Sequence, residues 1–289
     1  MNLEREYDNR GRVADSAAII DGWAARALAF RAGAAAVGRA ELDAIYGHHP
    51  RHVYDLFRPE RDAGGAVALF LHGGYWKALD KNSFSHMAAG LTRLGVPVAV
   101  AGYRLCPEAE ISDIIGDARQ MAVHLFRRLG RPLAVIGHSA GAHLAACLLA
   151  TDWTARGFET RPVRAGMGIS GVYDLRPLLA TSHNQALRLD EMNAFAASPL
   201  LWPAPRGQRF ALAVGGDESE EFIRQSRSLE AAWSGCGVAI SSEVMEGENH
   251  FTIIGGLEEA ASPLTRTAHA LCLGHDQRAA EHRDAFGQV

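Results

Sequence analysis

From about residue 45 onward, short apolar runs alternate with stretches that carry their apolar residues on one helical face. The runs at 52–57, 66–71, 96–103, 133–136, 165–169, 210–214 and 238–244 predict strands. The stretches at 83–94, 111–129 and 220–233 predict amphipathic helices between them. Several of the runs are almost continuously hydrophobic, as in a sheet covered on both faces. This alternation predicts an α/β fold with a mostly parallel central sheet and helices on both faces. In such sheets ligands bind beyond the carboxyl ends of the strands, so chemistry is expected in the loops after each run.

Two regions depart from the alternation. Residues 1–44 read as a helical extension ahead of the first strand signal, with an Ala-rich amphipathic helix at 14–37. Asp15, Asp21, Arg26 and Arg31 interrupt that helix, which argues against a membrane span. Residues 175–206 are long for a connection and hold Pro177, Pro199, Pro203 and Pro205, so they predict a small cap over the strand-end face. The segment 275–289 is polar and reads as a tail of a single domain spanning 1–289.

Composition narrows the functional classes. Of 289 residues, 48% are hydrophobic and 21% charged, enough for a sizeable core with an ordinary aqueous surface. A net charge of −4 supplies no electrostatic footprint for nucleic acid or for an anionic membrane. The cysteines Cys106, Cys147, Cys236 and Cys272 are scattered, so they read as reduced core thiols rather than a disulfide or metal framework. The start, Met-Asn-Leu-Glu-Arg-Glu, lacks a basic region and an apolar stretch, and the expected location is the cytoplasm. The partner expected is a small molecule, with a homodimer left open.

The chemistry starts at Gly137-His138-Ser139-Ala140-Gly141, directly after the run 133–136 and ahead of an Ala-rich helix. A serine on a sharp strand-to-helix turn projects its hydroxyl above the sheet, and its neighbours must be small because the two backbones approach closely. The competing reading is a Gly-rich turn in which Ser139 only caps a helix. The run 66–71 leads into His72-Gly73-Gly74-Tyr75-Trp76, where glycines allow backbone amides to point at a developing oxyanion. The candidate donors are the amides of Gly73, Gly74 (or Tyr75) and Ala140, and His72 is expected to brace the loop.

A serine nucleophile needs a base and a carboxylate that orients it. His250, in a loop just past the run 238–244, is the candidate base, with His183 in the cap as its rival and His143 expected to point away. After the run 210–214 come Gly215-Gly216-Asp217-Glu218, and Asp217 is the candidate acid. Glu218, Glu220, Glu221 and Asp190 compete with it. Tyr75, Trp76, His138 and Phe251 are candidate substrate contacts, although either ring beside the glycines could instead pack under the N-terminal helix. His48, His49 and His52 cluster in sequence but lack carboxylate or thiol partners at ligand spacing, so they read as a solvated loop.

Together, H-G-G-Y-W, G-H-S-A-G-A-H-L-A, N-H-F and the stretch Tyr54-Asp55-Leu56-Phe57-Arg58-Pro59 resemble the α/β-hydrolase superfamily, over roughly residues 45–275. More narrowly they are similar to the kynurenine formamidase (arylformamidase) group and its bacterial esterase relatives. The resemblance implies Ser139, Asp217 and His250 as a triad and 72–76 as the oxyanion loop. It also implies hydrolysis of N-formyl-L-kynurenine to formate and L-kynurenine, a step of tryptophan breakdown, without cofactor or metal. A carboxylesterase for small acyl esters is the alternative within the same mechanism. A non-catalytic binding protein on a hydrolase scaffold is the alternative of another class.

Overall fold

The structure, a computed structural model, describes residues 2–274, and the polar tail expected at 275–289 lies outside the described residues. The chain starts with two short helices, α1 (Leu3–Tyr7) and α2 (Asn9–Arg12), and a long one, α3 (Ser16–Ala36). Strands β1 (Ala40–Ile45), β2 (Val53–Phe57) and β3 (Val67–Leu71) follow. Two 3-10 turns, Lys81–Ser83 and Ser85–Ala88, run into α4 (Ala89–Arg93), where a single helix at 83–94 was expected. After β4 (Val98–Ala101) come α5 (Ile111–Leu129), β5 (Leu133–His138), α6 (Ala140–Ala150) and β6 (Val163–Ile169). The segment expected as a cap holds a 3-10 turn (Arg176–Ala180), α7 (Asn184–Leu187), α8 (Glu191–Ala196) and a second 3-10 turn (Pro199–Leu201). The chain then forms β7 (Arg209–Gly215), α9 (Glu220–Ser234), β8 (Ala239–Met245), the 3-10 turn Ile253–Glu258 and α10 (Pro263–Leu273).

The strands form one sheet in the order β1-β2-β4-β3-β5-β6-β7-β8. Pairing is antiparallel where β2 meets β1 and β4, and parallel from β4 to β8. The two-residue period divides the core cleanly. In β3, Val67, Leu69 and Leu71 face the layer containing α5, α6 and α9, while Ala68 and Phe70 face the layer containing α3, α4 and α10. Helix α5 shows the matching 3.6-residue logic. Ile111, Ile114, Ile115, Ala118, Met121, Ala122 and Leu125 are buried along one stripe. Glu110 and Asp113 form a capping box at its start, and Gly130 ends it at φ 64°.

Strand β1 was not expected: Ala40–Ile45 is a short, half-buried edge strand that carries Glu41 and Asp43 and a bulge between Glu41 and Ala44. Polar contacts hold it in place. Lys81 Nζ, itself buried, donates to Asp43 Oδ1 at 2.6 Å and to the buried Asp55 Oδ1 at 2.7 Å. The Asp43 amide donates to that same Asp55 oxygen at 2.9 Å, and Arg31 of α3 closes the cluster. Helix α3 is less one-sided than expected. It buries Ser16, Trp23 and Ala27 but leaves Leu28 70% exposed.

Candidate active site

The serine sits where the backbone is most constrained. Strand β5 is buried throughout, between β3 and β6, and Ser139 leaves it at φ 56°, ψ −117° to start α6. Positive φ is unusual for a residue with a side chain, and here it turns the chain sharply. A Cβ on Gly137 would lie 2.0 Å from the Gly141 carbonyl oxygen, and one on Gly141 would lie 1.9 Å from that of Leu71. Only glycine fits either position, which is the physical content of the G-x-S-x-G spacing. The Ala140 amide opens α6, where first-turn N–H groups have no partner within the helix.

The glycine loop after β3 lies against this turn. A Cβ on Gly73 would come within 3.0 Å of Ser139 Cβ. Gly74 takes φ 112°, and a Cβ there would meet the Ala78 carbonyl oxygen at 2.3 Å. Tyr75, Trp76 and Leu79 also hold positive φ. Backbone bonds fasten the loop: the Lys77 and Ala78 amides donate to Gly74 O, and the Cys106 amide to Trp76 O. His72 braces it as expected. Its ring stacks on Tyr103, 4.3 Å between centroids, and on Phe84 at 5.5 Å. Nδ1–H donates to Gly73 O at 2.7 Å, and burial pushes the imidazole down to about 4, so it stays neutral.

His250 lies just past β8 and meets a carboxylate other than the one expected. Its Nδ1 lies 2.6 Å from Glu218 Oε2, both side chains buried. Because a carboxylate accepts, Nδ1 carries the proton and Nε2 keeps the lone pair that a base requires. Asp217 is the correction: it is exposed, and among the described residues its carboxylate makes no bond to His250. The reason is the direction of the turn after β7. The Gly216 amide donates to Met245 O and the Asp217 amide to Glu248 O, so residue 217 faces outward and residue 218 folds back under the sheet edge. Glutamate has the extra methylene to reach the ring from there. The other carboxylates are engaged elsewhere: Asp190 caps α8, Glu221 pairs with Arg224, and Glu220 is exposed.

Ser139, His138, His250, Gly74, Tyr75 and Phe251 line one cavity of about 280 Å³. His138 Nε2–H donates to the His250 carbonyl at 2.9 Å, so this ring also holds the His250 loop, and burial keeps it well below the usual imidazole range. Trp76, expected at the substrate, is absent from the cavity wall. It is fully buried and packs edge-on against His143, 5.0 Å between centroids. His143 in turn donates from Nε2 to Ala197 O, away from the serine turn as expected. His183 lines the cavity but stacks on Tyr75 at 3.9 Å and reaches Tyr7 O.

The wall that sequence reasoning missed comes from the first 23 residues. Tyr7, Asp8, Asn9, Arg10, Ile20 and Trp23 all line the cavity. Tyr7 anchors this segment: its hydroxyl donates to Glu221 Oε1 at 2.6 Å and accepts from Gln225 Nε2 at 2.9 Å. Burial, then the Glu221 carboxylate, pushes its phenol well above the usual range. The Tyr75 hydroxyl donates to Tyr7 O at 2.7 Å, and Glu4 accepts from Ser182 in the segment expected as a cap. No group of metal-ligating side chains occurs among the described residues. Of the three clustered histidines, His48 is exposed, His49 meets Glu108, and His52 is buried 3.0 Å from Asp117, so only part of that loop is solvated.

A family profile described as alpha/beta hydrolase fold matches residues 68–253. The chain is 30% identical to kynurenine formamidase of Danio rerio, over 81% of this chain and 82% of that one. It is likewise 30% identical to the Drosophila melanogaster enzyme of that name, over 71% and 72%. Among solved structures, a Silicibacter protein provisionally named a thioesterase superposes with a TM-score of 0.83 at 34% identity, covering 92% of this chain and 98% of that one. Esterase B of Lactobacillus rhamnosis shares the fold at 18% identity, with a TM-score of 0.65 over 96% and 100%.

Proposed function

The chain belongs to the α/β-hydrolase fold family, among the relatives of the kynurenine formamidases, and from that premise we propose that it cleaves a small aryl formamide through a formyl-enzyme on Ser139. The observation that carries the reading is the buried Glu218–His250 pair, with His250 lining the same small cavity as Ser139 on its strand-to-helix turn. His250 Nε2 takes the Ser139 proton as Oγ bonds to the formyl carbon. Glu218 stabilises the imidazolium that results. The amides of Ala140 and of Gly73 or Gly74 hold the oxyanion, each donor contributing about 3 kcal/mol to the rate. As the C–N bond breaks, His250 returns the proton to the departing amine. Water then repeats the sequence on the formyl ester and releases formate and the free serine.

A second reading keeps the machinery and changes the substrate to small acyl esters. It is supported by the 34% identical structure provisionally named a thioesterase. Turnover of N-formylkynurenine beside acetyl, butyryl and longer p-nitrophenyl esters separates the two. Fast formamide cleavage with rates that drop steeply beyond the shortest acyl group supports the first, and inertness toward the formamide with brisk butyryl cleavage removes it. A fluorophosphonate should label Ser139, and loss of labelling in Ser139→Ala identifies the nucleophile. The substrate is taken to be a dissolved small molecule met in the cytoplasm, by a chain that could act as a homodimer. Among the described residues no helix is long and apolar enough to cross a membrane.

A further inference from the structure

Glu218 is gripped before His250 reaches it. Its Oε1 accepts from the Gly215 amide at 2.8 Å and from Ser170 Oγ at 2.5 Å, which leaves Oε2 for His250. Ser170 is fully buried directly after β6, and its amide donates to Ala213 O at 2.8 Å. It takes φ 52°, a conformation that glycine adopts more readily than serine. A side chain is therefore present where the backbone would favour none, and its hydroxyl proton is spent on the carboxylate. Ser170 is absent from the cavity wall, so it cannot be read as a substrate contact. A glutamate has one more rotatable bond than an aspartate, so holding its carboxylate in one orientation costs more side-chain entropy.

We infer that Ser170 is a positioning residue whose hydroxyl locks the Glu218 carboxylate in the orientation that presents Oε2 to His250. The inference rests on the reading of Glu218 as the carboxylate partner of the base. Positioned groups act on the chemical step rather than on binding, so the effect falls on kcat. The hydrogen bond runs to an ionised acceptor, and losing it is worth about tenfold in rate, with the Gly215 amide retaining part of the grip.

The test is steady-state kinetics of full-length Ser170→Gly and Ser170→Ala on N-formylkynurenine and p-nitrophenyl acetate, with Glu218→Gln alone and combined with Ser170→Gly. The glycine variant suits the positive φ and so keeps the fold even if the alanine variant does not. Both are expected to lose about tenfold in kcat with KM within about twofold. Ser170→Gly should add nothing further in the Glu218→Gln background, because its target is gone. Wild-type kcat in Ser170→Gly, a loss confined to KM, or an additive effect in the double variant overturns the inference. Wild-type rates in Glu218→Gln alone overturn the underlying reading instead, so the two failures are distinguishable.

Discussion

The cavity has a floor and a roof built on opposite principles. The floor consists of turns at the ends of β3 and β5, where short glycine-bearing motifs let backbones approach closely: Gly137, Gly141, Gly73 and Gly74 sit where a Cβ would crowd backbone or the serine itself. The roof consists of α1, α2 and Trp23 of α3, whose own sequences carry little structural instruction. It stays in place because Tyr7 meets Glu221 and Gln225, and because Tyr75 and Ser182 reach back to it. Local backbone constraint sets the reacting atoms; distant side-chain contacts set the shape of the space above them. Substitutions in the floor should therefore change rate, and those in the roof should change binding and stability.

The largest expected effect concerns the Glu218–His250 pair at the floor's edge. Glu218→Gln should lower kcat by about a thousandfold or more, since a mispaired imidazole is in the wrong tautomer, whereas Asp217→Asn should stay within about twofold. Steady-state rates on the same substrate decide this, and equal losses in both variants would return the acid to either position. Next in size is Trp76→Ala. It removes a fully buried indole and should cost about 3–5 kcal/mol in urea unfolding, the damage falling on stability before KM. Tyr7→Phe is smaller. It strips a buried partner from Glu221 and Gln225, so a loss of about 1–3 kcal/mol and a several-fold rise in KM with kcat nearly unchanged are expected. A fall in kcat with KM unchanged would place Tyr7 in the chemistry and erase the distinction between floor and roof.

The mildest test is acid. Burial holds His72, His86 and His143 down at about 4, against 6.5 when exposed. Between those values the unfolded chain binds protons that the folded chain refuses, so stability is complete above pH 6.5 and is lost as the pH falls toward about 4. Urea midpoints at pH 7.5, 6 and 5 should decline in that order, gently at first. A flat profile would mean these rings are not buried neutral.

How far sequence reasoning reached follows the same division. Every predicted strand is present to within a few residues, because most are short apolar runs whose alternate residues enter two cores, β8 at the far edge being exposed on one face. The edge strand Ala40–Ile45 escaped notice because it is no continuous apolar run: Glu41 and Asp43 interrupt it, and Lys81, Asp43 and Asp55 fasten it in place. Tyr75 and Trp76 are neighbours with the same aromatic promise, yet one lines the cavity and the other is sealed against His143. Periodicity cannot separate them in a loop where both residues take positive φ.

By itself the amino-acid order determined the parallel sheet, the serine on its turn, the glycine loop beside it and the histidine past the last strand. These are written in side-chain size and polarity over five or six consecutive residues, even where the close approach they permit is to a distant segment, as for Gly141 on Leu71 O. Only the tertiary structure decided that Glu218 rather than Asp217 meets the imidazole, that Ser170 grips that carboxylate, and that the N-terminal segment lines the cavity. Those outcomes depend on which way a turn faces once β7, β8 and α9 have packed. That direction is a property of the assembled layers, and no window of the chain contains it.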